Sequence, residues 1–257
     1  MRIRGEKWSE AADSIRAARA KAEQAAPAPT SRVGHIALQA LGATAVAAEV
    51  TAAGFLAHAA ASQIATPAQA AIAGATFALG YLGLEALWGA GHAFLDQARP
   101  SAFPRIREVL LASQRHHLTP ADVTVAGPFD YMAPVALLLT PIVGALAYLD
   151  PTYWASTAAL GFALGATITL DVHRYTHLPA HKMPALLKLT SRLGLTQKRD
   201  SHWVHHRDDD KNVCQLTDYV NPLYNKLGVY ERIGNALRRR GVHVEQTGVL
   251  APCGTAG

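Results

Sequence analysis

The stretch AQAAIAGATFALGYLGLEALWGAGHAF, residues 68–94, decides the fold class of this 257-residue chain. It contains one acidic residue, Glu85, and no Lys or Arg. At 1.5 Å per residue, a helix of this length crosses a bilayer core of roughly 30 Å. The whole-chain composition is 50% hydrophobic and would suit a soluble protein equally well. The clustering of the apolar residues is therefore what predicts a membrane helix.

Three further apolar runs have the same character, at residues 33–62, 131–149 and 152–172. Turn-forming pairs, Thr66-Pro67 and Asp150-Pro151, separate the members of two hairpins. Four antiparallel membrane spans follow from this pattern. A soluble all-helical protein with Ala-rich helices is the alternative, but the length of the runs and the exclusion of basic residues from them argue against it.

The basic residues predict the orientation of these spans. All 24 Lys and Arg fall before the first span, between the second and third, or after the fourth. Neither hairpin loop contains one, and basic loops prefer the cytoplasmic side. We predict an all-α integral membrane four-helix bundle with both termini and a His-rich helical cap in the cytoplasm. The pI near 9.3 then indicates attraction to anionic lipids, with no nucleic-acid partner.

Three segments are expected along the chain. Residues 1–32 form a cytoplasmic segment, with an amphipathic helix at 8–24 and an Ala-Pro linker at 25–30, and lack the pattern of a secretory signal. Residues 33–240 form the membrane domain, and residues 241–257 a flexible tail. The two cysteines, Cys214 and Cys253, form no CxxC motif, so a disulfide framework or thiolate zinc site is not expected.

Eight of the 12 histidines gather at the predicted cytoplasmic side. The other four are scattered, and we interpret His35, His58 and His243 as packing or local hydrogen-bonding residues and His181 as an outer or surface residue. The clustered residues are His92, His116, His117, His173, His177, His202, His205 and His206.

The spacing of these histidines favours metal binding. His92 and Asp96 are four residues apart, as are His173 and His177, and residues at this spacing share one face of a helix. Imidazole and carboxylate ligands without thiolate suit iron, zinc, copper or nickel. Eight imidazoles exceed the needs of one metal, so two metals with open positions for oxygen and substrate, a di-iron site, are the favoured hypothesis.

Three carboxylates accompany the histidines or interrupt the apolar runs. Glu49 and Glu85 lie inside the runs, where a charge is costly. Glu85 precedes His92 by two turns and is a candidate to orient a ligand, donate protons or bind substrate; a protonated carboxyl between helices is the alternative. Asp171 is a candidate to support His173 from outside the metal shell.

Five motifs follow one another along the chain: GHAFLD (91–96), RHHLTP (115–120), HRYTH (173–177), SHWVHH (201–206) and VCQLTDYVN (213–221). They resemble those of the Kua-type lipid desaturase family, which includes plasmanylethanolamine desaturases and plastid phosphatidylglycerol trans-desaturases. The resemblance spans residues 88–233. Three substitutions depart from the family pattern: Ser201 replaces a His, Tyr175 replaces a Trp, and Asp208 to Asp210 replace a Pro-containing stretch.

The resemblance implies an O2-dependent desaturase with two non-haem irons that oxidises an alkyl or acyl chain of a phospholipid or ether phospholipid. Electrons would come from an external donor such as cytochrome b5 or ferredoxin, because no flavin or dinucleotide motif is present. A di-iron lipid hydroxylase is the nearest alternative. Two alternatives lie outside the class of di-iron enzymes: a zinc-dependent or non-enzymatic metal-binding membrane protein, and a bis-His membrane cytochrome.

Overall fold

The structure, a computed structural model, describes residues 32–124, 128–149 and 151–244. The predicted amphipathic helix and linker, and nearly all of the predicted tail, lie outside these residues. Within them the chain is helical and contains no β-strand, which confirms the all-α prediction. The helices are α1 (Arg32–Ser62), α2 (Pro67–Gln97), α3 (Arg107–Leu118), α4 (Pro128–Leu149), α5 (Tyr153–Thr176), α6 (Ala185–Arg192), α7 (Arg199–Arg207), α8 (Asn221–Leu227) and α9 (Val229–Arg239).

Three helices are long and apolar enough to cross a membrane: α1, α2 and α5. They correspond to three of the four predicted spans. The remaining predicted span coincides with α4, whose apolar part within the described residues, Val135–Leu149, is shorter. The chain is thus a membrane protein with three helices of spanning length, and a fourth span at α4 stays a prediction.

The hairpin between α1 and α2 is fixed by a capping box. Thr66 Oγ1 accepts a hydrogen bond from Gln69 N, and Gln69 Oε1 accepts one from Thr66 N. Pro67 begins the helix, where its missing N–H costs nothing. Gln63 then joins this loop to the next hairpin, because its side chain bonds the carbonyl of Pro151 and the amide of Tyr153. The two hairpin loops therefore lie together at one end of the molecule.

Small residues bring α2 and α5 into backbone contact. A Cβ atom added at Gly80 would lie 1.9 Å from the carbonyl oxygen of Ala158, and one added at Gly161 would lie 2.0 Å from that of Phe77. Such close approach through small residues is typical of membrane helices, whose association relies on tight van der Waals packing. The two helices that carry His92 and His173 are thereby held at a fixed separation.

Helices α1 and α4 complete the bundle against α5. Leu56, Leu139, Val143 and Ala163 form the apolar core between them. Glu49 of α1 is buried there, and its Oε1 accepts a 2.6 Å hydrogen bond from Thr167 of α5. A polar contact of this kind links two helices inside an otherwise apolar layer.

Candidate metal centre

All eight clustered histidines and Asp96 meet at the end of the bundle remote from the hairpin loops. They come from α2, from α3, from the last turn of α5 and the residue that follows it, and from α7. Their ligand atoms form two groups, within each of which every pair of atoms lies within 4.8 Å. We call them the five-histidine group (His116, His173, His177, His202 and His206) and the Asp96 group (His92, Asp96, His117 and His205).

In the five-histidine group, Nε2 atoms face each other directly. The distances are 3.0 Å between His173 and His177, 2.9 Å between His177 and His202, and 3.0 Å between His202 and His206. Protons cannot satisfy all three contacts, because each Nε2 is either donor or acceptor and one N–H makes one good bond. A cation facing all the lone pairs would satisfy them together.

His116 supplies a further orphaned atom in this group. Its Nε2 is buried and has no hydrogen-bond partner among the described residues. Its Nδ1 donates to the carbonyl of Ser113, which leaves the Nε2 lone pair directed away from its own helix. A buried acceptor without a partner is costly, so this atom also fits a metal ligand.

The Asp96 group is built around one carboxylate oxygen. Asp96 Oδ2 lies 3.3 Å from Nε2 of His92, 3.3 Å from Nε2 of His117 and 3.4 Å from Nε2 of His205. The other oxygen, Oδ1, accepts a 2.7 Å hydrogen bond from Ser113. One anion and three imidazoles around a common point form the donor set of a divalent metal such as iron, zinc, copper or nickel.

Hydrogen bonds on the far side of the rings hold the Asp96 group in place. His92 Nδ1 donates to the carbonyl of Val213 at 2.9 Å, and His205 Nδ1 donates to that of Lys211 at 3.0 Å. Because a carbonyl only accepts, the proton lies on Nδ1 and the Nε2 lone pair faces the group. Sequence reasoning identified the rings but not these carbonyls.

Asp209 is a further residue that sequence reasoning did not assign to the site. Its Oδ1 lies 3.6 Å from Nδ1 of His117, where it can orient the ring. Burial alone would lower the pKa of His117, but the Asp96 and Asp209 carboxylates outweigh it and raise the pKa to about 10. A metal bound at this ring would therefore have to displace a proton.

Four rings of the five-histidine group, those outside the membrane-spanning helices, have lowered pKa values, which favours neutral imidazole. Burial, reinforced by neighbouring imidazoles, holds the pKa of His116 and His202 well below the usual range and lowers that of His177 to about 3. Neutral imidazole is the form that binds metal. The two groups also adjoin: the ring centroids of the consecutive residues His116 and His117, one in each group, are 4.3 Å apart.

Gln215 lies between the two groups. Its side-chain nitrogen is 3.1 Å from Nε2 of His92 and 3.4 Å from Nε2 of His173. The amide orientation is fixed by Trp88, whose Nε1 donates to Gln215 Oε1 at 2.8 Å. The sequence singled out the surrounding VCQLTDYVN segment without assigning a role to this residue, because only the packing of the segment against α2 brings it to the site.

Glu85 holds that segment against α2. Its Oε1 accepts a 3.1 Å hydrogen bond from Thr217 N, and its Oε2 accepts one from Thr217 Oγ1. The residue is fully buried and belongs to neither histidine group. Its position favours the interpretation as a hydrogen-bonded carboxyl, in this case between a helix and a loop.

The other residues discussed above lie outside both groups. Asp171 pairs with Arg174, at 3.0 Å, and no contact with His173 is seen among the described residues. Ser201 accepts a hydrogen bond from Asn212, so the position at which the family has a His serves the loop instead. His58 and His181 are exposed, and His243 bonds Arg238.

The similarity of this chain to known proteins includes the residues of the candidate metal centre. Residues 92–244, more than half of the chain and including all nine clustered residues, match the family model of the lipid desaturase domain. Over 160 residues the chain is 26% identical to a probable fatty acid desaturase of Acanthamoeba polyphaga mimivirus, a match that covers 60% of this chain and 77% of the viral protein. No solved structure matches significantly.

The match to the desaturase domain and the similarity to the viral desaturase identify the chain as an oxidoreductase, in agreement with a helical membrane protein whose histidines converge at one end. The family match makes the assignment specific: the chain belongs to the lipid desaturase domain family.

Proposed function

We propose that this protein is an O2-dependent di-iron lipid desaturase of the Kua type, which introduces a double bond into an alkyl or acyl chain of a phospholipid or ether phospholipid. The observation that carries the proposal is the division of nine ligand-type residues into two adjoining groups. One group for each of two irons explains why the chain contains more imidazoles than one metal needs.

Non-haem iron, when bound, would supply the activation of O2 and the removal of hydrogen from an unactivated C–H bond. Desaturation removes two hydrogen atoms, and thus two electrons, from the lipid. Reduction of O2 to two water molecules takes four electrons, so two more must come from an external donor such as cytochrome b5 or ferredoxin.

The residues of this chain would hold the two irons, orient the ligating rings and face the substrate. The five-histidine group and the Asp96 group would each hold one iron, and the carbonyls of Val213 and Lys211 would keep two rings in the ligating tautomer. Gln215, at the junction of the groups, would face the substrate carbon or oxygen. Glu85 and Asp171 would act as supporting residues, Glu85 through Thr217 and Asp171 through Arg174.

We further propose that α4 is the fourth span and that the site and both termini lie on the cytoplasmic side of the membrane. The absence of Lys and Arg from the two hairpin loops supports this orientation. Residues 1–32, 33–240 and 241–257 are proposed as the cytoplasmic segment, the membrane domain and the tail.

Lipid mass spectrometry combined with iron analysis tests the function. Cells expressing the intact chain should accumulate lipids two mass units lighter than those of cells expressing the His173→Ala variant, and purified protein should hold about two irons and no zinc. A gain of sixteen mass units would instead identify a hydroxylase, from the same site with one oxygen atom retained. Stoichiometric zinc would contradict the proposal.

A further inference from the structure

Helix α6, Ala185–Arg192, has an apolar face without a partner among the described residues. Leu186, Leu189 and Leu193 are 70%, 53% and 60% exposed. At 3.6 residues per turn they fall within about 60° of one another around the helix axis, so they form one continuous stripe. The helix ends seven residues before the start of α7, which carries three of the clustered histidines.

The other two sides of α6 are different in kind. Leu187 points into the protein and packs with Leu84, Val172 and Leu216. The basic residues lie on the side away from Leu187, with Lys188 about 100° and Arg192 about 60° from Leu189, the nearest residue of the stripe. The helix thus has three faces: one packs against the protein core, one is apolar and exposed, and one is basic. This is the pattern of a helix that lies in a membrane interface.

The packing of α6 fixes its depth. Leu187 packs against the apolar cluster that contains Leu84 of α2, and the carbonyl of Leu195 accepts a 3.1 Å hydrogen bond from Tyr81 Oη of α2. Tyr81 lies about 21 Å along α2 from its first residue, Pro67. This distance is shorter than the roughly 30 Å thickness of a bilayer core, so α6 meets α2 at a level that would lie inside the membrane. On α2 itself, Leu87 lies one turn after Leu84 and is exposed.

We infer that α6 is an in-plane membrane helix, whose leucine stripe inserts among the acyl chains of the leaflet next to the histidine groups. The occupant is lipid because α6 packs against a membrane-spanning helix at a point within its apolar length, and because Lys188 and Arg192 lie where anionic headgroups would meet them. The lipid chains that contact α6 would then lie beside the segment leading to α7.

Site-directed fluorescence quenching tests this placement. In a Cys253→Ser background, which leaves the buried Cys214 as the one native thiol, a bimane label is attached at Leu189→Cys or, as a matched control on the basic side, at Lys188→Cys. Each protein is placed in nanodiscs of phosphatidylcholine and phosphatidylglycerol at one chain per disc. Lipids with a nitroxide on the acyl chain should quench the label at 189 at least about twofold more strongly than the label at 188, and aqueous iodide should show the reverse order.

Equal quenching of both labels by iodide would overturn the inference, because the stripe would then face water. A lipid signal at 189 that appears only with two or more chains per disc would also overturn it and identify a second copy of the chain as the occupant. Iron content and helical circular dichroism of the labelled proteins verify their folding. The placement depends on membrane insertion and not on the reaction proposed above, so an enzyme inactive toward every lipid would still give the expected quenching.

Discussion

Asp96 and His117 meet across two helices, with Oδ2 of the carboxylate 3.3 Å from Nε2 of the imidazole. The same oxygen faces His92 of its own helix and His205 of α7. One carboxylate therefore draws rings from three separate helices to a common point. Because it is the only acid among the nine clustered residues, its charge distinguishes the two groups.

Replacing Asp96 by Asn should remove one metal and leave the other. The amide keeps the shape of the side chain but loses the anion around which the three imidazoles converge, whereas the five-histidine group contains no residue of this helix. Iron measured by mass spectrometry should fall from about two to about one per chain. Retention of both irons would exclude Asp96 as a ligand.

Replacing His173 or His205 by Ala should abolish product formation in both cases while affecting different groups. His173 belongs to the five-histidine group and His205 to the Asp96 group. Each variant is expected to lose one iron, and the double variant both, because each removal leaves an incomplete ligand set. Iron content and lipid product are measured on the same preparations; full activity in either single variant would show that the residue is not a ligand.

Asp209 should affect metal affinity through His117. Asp209→Asn removes the carboxylate 3.6 Å from the outer ring nitrogen, and loss of such a partner typically weakens metal binding by about 10- to 100-fold. Asp208→Asn is the matched control, since that residue pairs with Lys211 at the surface. Competition with a chelator gives both affinities. Equal affinities in the two variants would contradict a role for Asp209.

Glu85 should act through shape and hydrogen bonding and not through proton transfer. Glu85→Gln keeps a carbonyl oxygen for the Thr217 amide, so iron content and activity should change little. Glu85→Leu leaves the buried Thr217 N–H without an acceptor, which costs about 1–3 kcal/mol, and should reduce both. Complete loss of activity in Glu85→Gln with normal iron content would instead identify a proton-donating role.

Gly80 should tolerate no side chain. Gly80→Ala places a methyl group 1.9 Å from the carbonyl of Ala158, and overpacking of this kind costs about 1–3 kcal/mol. Gly83→Ala, on the same helix with nothing within 4 Å, is the matched control and should be neutral or stabilising. Thermal unfolding in detergent compares the two. Equal midpoints would mean that α2 and α5 do not depend on this contact.

The helices and the gathering of the histidines were predictable because both depend on local pattern. Apolar runs without basic residues identified α1, α2 and α5, and the four-residue spacing of His173 and His177 follows from helix geometry. The supporting contacts were not predictable. Asp209 reaches His117 from a distant loop, and Gln215 reaches the site only because Glu85 fastens its segment to α2.

By itself, the sequence determined that the chain is helical, that it enters a membrane and that its histidines gather at one end, since length, hydrophobicity and residue spacing are properties of contiguous residues. Only the tertiary structure decided how those histidines divide into two groups. His116 and His117 are neighbours in the chain yet face different groups, because consecutive side chains on a helix point about 100° apart and α5, α7 and Asp96 meet them from different sides.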